Sequence, residues 1–210
     1  MKTIRIDYLD LATSAAQRSW EMTEGVFHYR MAANPKFDES GLQEWLSIWM
    51  LSRTNPRNLR HSLLNFFNNE AIPLILTTNP SNGFSIVENI ARRGNELGVF
   101  SGIATSTVSK LAFTLNPALF NPYDMRVRKG LKAFLGISIR DHDYVGYMDH
   151  FNSFTRYLGT SIPQSVQKSL LEAHINDSAG VSVKINRISD KYLMLLGGFS
   201  TDRMRRDAGS

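Results

Sequence analysis

Cysteine is absent from all 210 positions. Its absence removes thiolate zinc sites, cysteine-ligated iron–sulfur clusters, cysteine nucleophiles and disulfides in one step. No apolar run reaches the ~18 residues that a transmembrane helix requires, so no membrane partner is expected. Walker and dinucleotide-binding glycine loops do not occur, and neither does a serine–histidine hydrolase motif. The histidines, His28, His61, His142, His150 and His174, show no metal-ligand spacing. Asp141-His142-Asp143 and Asp149-His150 read more simply as caps and surface groups than as a metal site. Sustained period-two alternation, internal repeats and low-complexity tracts are also missing. The first ten residues carry acidic groups and no apolar stretch follows them, so no secretory leader is evident and a cytoplasmic location is the default expectation.

What is present is an ordinary globular composition, 42% hydrophobic, with a formal net charge of +5. The length suits one domain of residues 1–210, on a prior of about 100–200 residues per domain. The charge suits a polyanionic partner, because lysine and arginine that neutralise phosphates release condensed counterions.

Helical spacing dominates the chain. Trp20, Phe27 and Met31 mark a helix from Leu11 to Ala33, closed by Pro35. Asp38-Glu39-Ser40 caps a helix from Gly41 to Ser52 with the stripe Leu42, Trp45, Leu46 and Trp49, stopped by Arg53-Thr54-Asn55-Pro56. Asn58 caps another that runs into Ile72–Leu76, a piece that periodicity leaves open between strand and helix. Asn79-Pro80-Ser81-Asn82-Gly83 is a turn and a candidate subdomain boundary. A helix from Phe84 ends at Gly94 or Gly98, and Thr105 or Ser106 caps the next. Asp141 or Asp143 caps a helix to Leu158, stopped by Gly159. Pro163 opens a helix over Ser165–Ile175, and a last one spans Asn186–Leu196, ended by Gly197-Gly198. The basic end, Arg203-Met204-Arg205-Arg206, is expected to fray into a flexible tail over 203–210. The fold class is therefore all-α, with about eight or nine helices.

The stretch richest in chemistry is Ser106-Thr107-Val108-Ser109-Lys110-Leu111-Ala112-Phe113, followed by Asn116-Pro117-Ala118-Leu119-Phe120-Asn121-Pro122-Tyr123-Asp124-Met125-Arg126-Val127-Arg128. It reads as two helices joined by a turn with two prolines. At about 100° per residue, Val108, Leu111, Ala112 and Leu115 share one face, which points Lys110 away toward solvent. Asp124 precedes Val127 and Leu131 by three and seven residues, so it projects along the buried side at the start of its helix. There a carboxylate serves as an N-cap worth about 1 kcal/mol, or as an anion that faces a developing positive charge. The pattern alone leaves both uses open.

These residues resemble the core of the helix-hairpin-helix DNA glycosylase superfamily, and are most similar to bacterial and archaeal proteins with the 8-oxoguanine DNA glycosylase fold. In those proteins a lysine opens one helix and, after a proline-rich turn, an aspartate opens the next. Arg187-Ile188-Ser189-Asp190-Lys191-Tyr192-Leu193-Met194-Leu195-Leu196-Gly197 resembles their C-terminal helix, where an aspartate followed by an apolar or aromatic residue contributes to the base pocket. The likeness covers about residues 98–136 and 187–197. The nearest counterpart of the family's hairpin is Gly98-Val99-Phe100-Ser101-Gly102, which ends eight residues before Lys110.

The resemblance implies two helical subdomains flanking a cleft, and catalysis without metal or organic cofactor. Lys110 would be the amine nucleophile that attacks the anomeric carbon, displaces the base and forms a Schiff base leading on to strand cleavage. Asp124 would help generate the free amine and stabilise the oxocarbenium-like sugar. A lysine nucleophile needs burial to favour its neutral form, and a nearby carboxylate pushes the other way, so the proton has to pass during the reaction. Asp190, Met194, Phe113 and Tyr123 would line the base pocket, although Phe113, Tyr123 and Phe100 also read simply as core. Thr105, Ser106 and Thr107 at a helix start, with Arg126, Arg128 and Lys129, would contact DNA phosphates.

The leading expectation is thus a monomeric DNA glycosylase with associated lyase activity. It would act on an oxidised or otherwise modified base in double-stranded or single-stranded DNA, including modified phage bases if the protein serves bacterial defence. The alternative is a non-catalytic helical DNA-binding or interaction protein that keeps the fold and the basic face, again with phage defence as a setting.

Overall fold

Leu9, Ala12, Ala16 and Trp20 recur at helical spacing and lie buried along one side of the first helix. That helix starts at Ile6, five residues before Leu11, because the backbone N–H of Arg5 donates to the Tyr192 hydroxyl at 2.9 Å. The computed structural model describes residues 3–52, 60–79, 83–161 and 180–209. In chain order its helices are α1 (Ile6–Ser19), α2 (Gly25–Ala33), α3 (Glu39–Ile48), α4 (Arg60–Phe66), α5 (Ile72–Leu76), α6 (Gly83–Glu96), α7 (Thr105–Leu115), α8 (Met125–Leu135), α9 (Tyr144–Ser161), α10 (Gly180–Leu196) and α11 (Thr201–Ala208). Five-residue π turns, Trp20–Glu24 and Phe67–Ala71, lie between α1 and α2 and between α4 and α5. No strand occurs among the described residues, so the fold is all-α and the ambiguous Ile72–Leu76 is helical. The Asn58 cap, the stop at 53–56, the turn residues 80–82, the Pro163 helix start with Ser165–Ile175, and His174 lie outside the described residues.

The chain forms two compact units, one of Met1–Gly25 with Tyr123–Ser210 and one of Val26–Pro122. The first is built around α10, which packs against α1, α8 and α9, while α11 packs on α1. Its aromatic core pairs Phe134 with Phe154 edge to face at 5.1 Å and stacks Phe154 on Tyr192 at 5.9 Å. Burying each such ring contributes about 1.5–3 kcal/mol. Helices α8 and α10 approach until their backbones touch. A Cβ on Gly130 would run into the Leu193 carbonyl, and one on Gly197 into the Arg126 carbonyl. Glycine is therefore required at both positions by space.

In the second unit α7 packs against α5 and α6, and α3 against α4. Phe37, Trp45 and Phe67 form its aromatic cluster, with centroids 5.7–6.3 Å apart, and Phe100 packs edge to face on Phe66 at 5.8 Å. Asp38 caps α3 as expected, its carboxylate accepting from Gly41 N–H at 2.6 Å.

Several boundaries differ from the spacing-based expectation. Helix α9 runs through Gly159 to Ser161, because the buried Phe154 and Leu158 outweigh the ~1 kcal/mol by which glycine disfavours a helix interior. Helix α3 stops at Ile48 and not at Ser52. Helix α10 begins at Gly180, six residues before Asn186. The basic end is a helix, α11: Ser200 caps it by accepting from Arg203 N–H, and Met204 is only 1% exposed. One buried methionine is enough to dock an otherwise charged segment that composition alone reads as frayed.

The two glycines at opposite extremes give a test. Gly130→Ala is expected to lower stability by about 1–3 kcal/mol through the clash at Leu193. Gly159→Ala, where an added Cβ meets nothing within 4 Å, is expected to raise it by about 0.4–1 kcal/mol. Thermal or urea melts of the two variants should move in opposite directions.

Candidate functional site

Lys110 belongs to the Val26–Pro122 unit and Asp124 to the other. Helix α7 is buried almost all round, with Val108, Ser109 and Leu111–Leu115 in the core. Ser106 and Lys110, one turn apart, are its least buried positions, so the lysine lies on the side that the period expects, but that side is half-buried and not a solvent face. Lys110 is half-buried: its Nζ donates to the Trp49 carbonyl at 3.4 Å and stands 5.8 Å from the centre of the Trp49 ring. Phe113 packs edge to face on the same indole at 5.8 Å. Thr114 receives the Trp45 Nε1–H at 3.0 Å and donates to the Lys110 carbonyl at 2.8 Å, which ties α7 to α3.

Trp49 sits where α3 ends in a Schellman arrangement. Leu51 N–H bonds to the Leu46 carbonyl at 2.7 Å and Met50 N–H to the Ser47 carbonyl at 3.0 Å. The left-handed position usually given to glycine is held by Met50, with φ of 54° and its side chain 71% exposed. Non-glycine residues there are strained by about 1 kcal/mol or more.

The Thr105-Ser106-Thr107 trio is not an open helix start. Ala104 occupies the N-cap position without a side-chain cap, in place of the expected Thr105 or Ser106. Thr105 and Thr107 are turned inward, 1% and 4% exposed, and Ser106 is half-buried. The two threonine side chains are thus held in the core rather than presented to a phosphate.

In the first unit Asp124 is the N-cap of α8. Its backbone is extended and its Oδ1 accepts from Arg126 N–H at 2.7 Å. Tyr123 beside it is buried; its hydroxyl donates to the Arg140 carbonyl at 3.0 Å, its ring meets Tyr147 edge to face at 5.1 Å, and burial raises its phenol above the ordinary tyrosine value. The Arg128 guanidinium lies over the Tyr123 ring at 5.0 Å, bonds to the Ile139 carbonyl at 2.9 Å and pairs with Asp141 at 2.7 Å. That bond holds the Asp141 carboxyl below its usual range. Asp143 accepts from Gly146 N–H at 2.8 Å, so both aspartates flanking His142 have structural partners. Lys129 is exposed and Arg126 half-buried. Among the described residues no group of three acidic or histidine side chains could hold a metal ion.

On α10, Met194 is half-buried, and Asp190 is buried in an ionic cluster that helical spacing did not reveal. Arg187, 1% exposed, makes two hydrogen bonds to Glu24 at 2.6 and 2.8 Å and stands 3.0 Å from Asp190. Lys191 approaches Glu24 at 3.7 Å. Burial pushes the Glu24 carboxyl up, but Arg187 and Lys191 outweigh it and leave Glu24 below the ordinary glutamate value. Likewise burial opposes the Arg187 charge, while Glu24 and Asp190 hold its pKa above the ordinary arginine value. A signal was present: Glu24 falls on the apolar stripe of Trp20, Phe27 and Met31, where an acid needs a buried partner.

Comparison with known proteins adds nothing to this geometry: no family model matches the chain, and no curated protein or solved structure is similar to it.

Removing one member of the cluster should be costly. Arg187→Ala takes the buried guanidinium away from two buried carboxylates, and a loss of about 3–5 kcal/mol is expected in urea denaturation. The pH dependence has a definite sign. Because the folded carboxyl of Glu24 titrates below its unfolded value, its contribution is full above the ordinary glutamate range and is lost as pH falls through the depressed value. Glu24→Gln should flatten the acid limb of a stability-against-pH curve below the ordinary glutamate range.

Proposed function

We propose that the protein is a DNA glycosylase with associated lyase activity, built as the two helical subdomains of the helix-hairpin-helix arrangement. The observation that carries the reading is the setting of Lys110. A lysine that spacing alone would send to solvent is half-buried against the carbonyl and ring of Trp49, so its amine is oriented and partly stripped of water. Asp124, fixed by its capping bond, is the carboxylate partner.

In this reading the Lys110 amine attacks the anomeric carbon of the target nucleotide. The new C–N bond forms as the glycosidic bond breaks, the base leaves with a proton derived from the lysine, and ring opening gives the Schiff base. Asp124 faces the positive charge that develops on the sugar. Elimination of the 3′ phosphate from that Schiff base then cleaves the strand. DNA is the partner, the substrate is an oxidised or otherwise modified base, and a role against modified phage DNA fits the same chemistry.

Borohydride reduction on duplexes carrying a panel of modified bases tests this. A covalent protein–DNA adduct is expected with the wild type and none with Lys110→Ala, while Asp124→Asn should lower excision by about 100-fold or more. Excision that survives Lys110→Ala but not Asp124→Asn would point to water as the nucleophile. Steeply salt-dependent binding with no excision of any base would favour the non-catalytic DNA-binding alternative.

A further inference from the structure

Two arginines from different elements of the first unit converge on one aromatic ring. The Arg126 guanidinium, from the first turn of α8, lies 4.7 Å from the centre of the Phe199 ring, and that of Arg203, from the first turn of α11, lies 5.5 Å from it. Phe199 is held where it is by the end of α10. Its N–H bonds to the Met194 carbonyl at 2.9 Å, Gly198 N–H to the Leu195 carbonyl at 3.1 Å, and Gly198 takes the left-handed conformation with φ of 86°. The contact of Gly197 on the Arg126 carbonyl pins that turn to the start of α8. The two cations therefore stand within about 10 Å of each other on a rigid support.

We propose that Arg126 and Arg203, mounted on Phe199, form a clamp for the phosphodiester backbone of a nucleic acid beside Asp124. Contact with a ring gives a guanidinium a cation–π partner that uses none of its planar N–H donors, the donors that suit bidentate recognition of phosphate. The exposed Lys129 and Lys132 of α8 add charges of the same sign, while Arg128 is taken up by Asp141. The clamp assigns Arg203 and Phe199, which the resemblance does not reach. It rests on the reading of DNA as partner and is independent of excision.

Anisotropy titrations of a labelled, unmodified DNA duplex over a range of salt test it. Arg203→Ala is expected to weaken binding about tenfold at low salt and to reduce the slope of log affinity against log salt by about one. Phe199→Leu, which keeps an apolar side chain after α10 but removes the ring, should shift both in the same direction. Arg205→Ala is the charge-matched control, because Arg205 lies two residues on, toward the opposite side of α11, paired with Asp202 at 3.3 Å; it should change the slope by clearly less. Equal effects of Arg203→Ala and Arg205→Ala, or an unchanged slope in Arg203→Ala with an intact melt, would overturn the clamp. So would Arg203-dependent binding to vesicles of anionic phospholipid with none to DNA. Failure of wild-type borohydride trapping counts against excision alone and does not touch this measurement.

Discussion

The first unit depends on a charge buried where charges are expensive. Moving Glu24 and Arg187 out of water costs several kcal/mol per ion, and only close, multiply bonded geometry offsets it. The structure supplies that geometry through paired Arg187–Glu24 hydrogen bonds, with Asp190 and Lys191 alongside. The consequence is positional. Glu24 closes the π turn after α1, and Arg187 lies on α10, so the pair fixes the register of the central helix against the first one. Helix α8 then leans on α10 through Gly130 and Gly197, where backbone meets backbone. Asp124 caps α8. The carboxylate proposed to face the sugar therefore takes its place from a chain of constraints that starts at a buried ion pair.

The second unit places Lys110 by a different route. Helix α7 is wrapped so fully that Thr105, Thr107 and Ser109 are all buried, and Ser106 and Lys110 are half-buried. Lys110 is the residue whose side chain is long enough to run to an edge, and the edge it finds is the end of α3. Trp49 provides both a carbonyl and a ring there, and Met50 supplies the left-handed step that closes the helix. Met50 holds that step at φ of 54° with its side chain 71% exposed. Strain of this kind persists where surrounding contacts over-determine it, and it tends to sit near sites of action.

Much of this was readable from the sequence, and the failures share causes. The Asp38 cap and the helical position of Asp124 followed from side-chain chemistry and spacing, which are local. The start of α1 did not, because the partner of Arg5 is Tyr192, 187 residues away. For Lys110 the amphipathic period gives the right side of α7 but overstates how wet it is, because that side is half-buried by the core around it. The cap of α7 was misassigned for the same reason: the core, not the capping preference of threonine, decides where Thr105 points. Gly159 and the basic end show tertiary packing overriding composition, with Leu158 and Met204 as the anchors. The Glu24–Arg187 pair was legible only as an anomaly, an acid on an apolar stripe, and its partner lay 163 residues away.

Lysine and aspartate make opposing demands in the proposed chemistry. The amine must lose a proton to attack, which partial burial favours, while a carboxylate close by favours the ammonium. The fold answers the two demands with different supports. Lys110 is oriented by neutral groups, a backbone carbonyl and an indole, in one unit. Asp124 is oriented by a backbone N–H at a helix start in the other. In the proposed chemistry each residue serves a separate moment of the reaction. There the amine forms the bond, and the carboxylate faces the positive sugar that follows. A reacting group whose orientation is fixed beforehand by groups of its own unit gives up less freedom on reaching the transition state, and both residues have such supports.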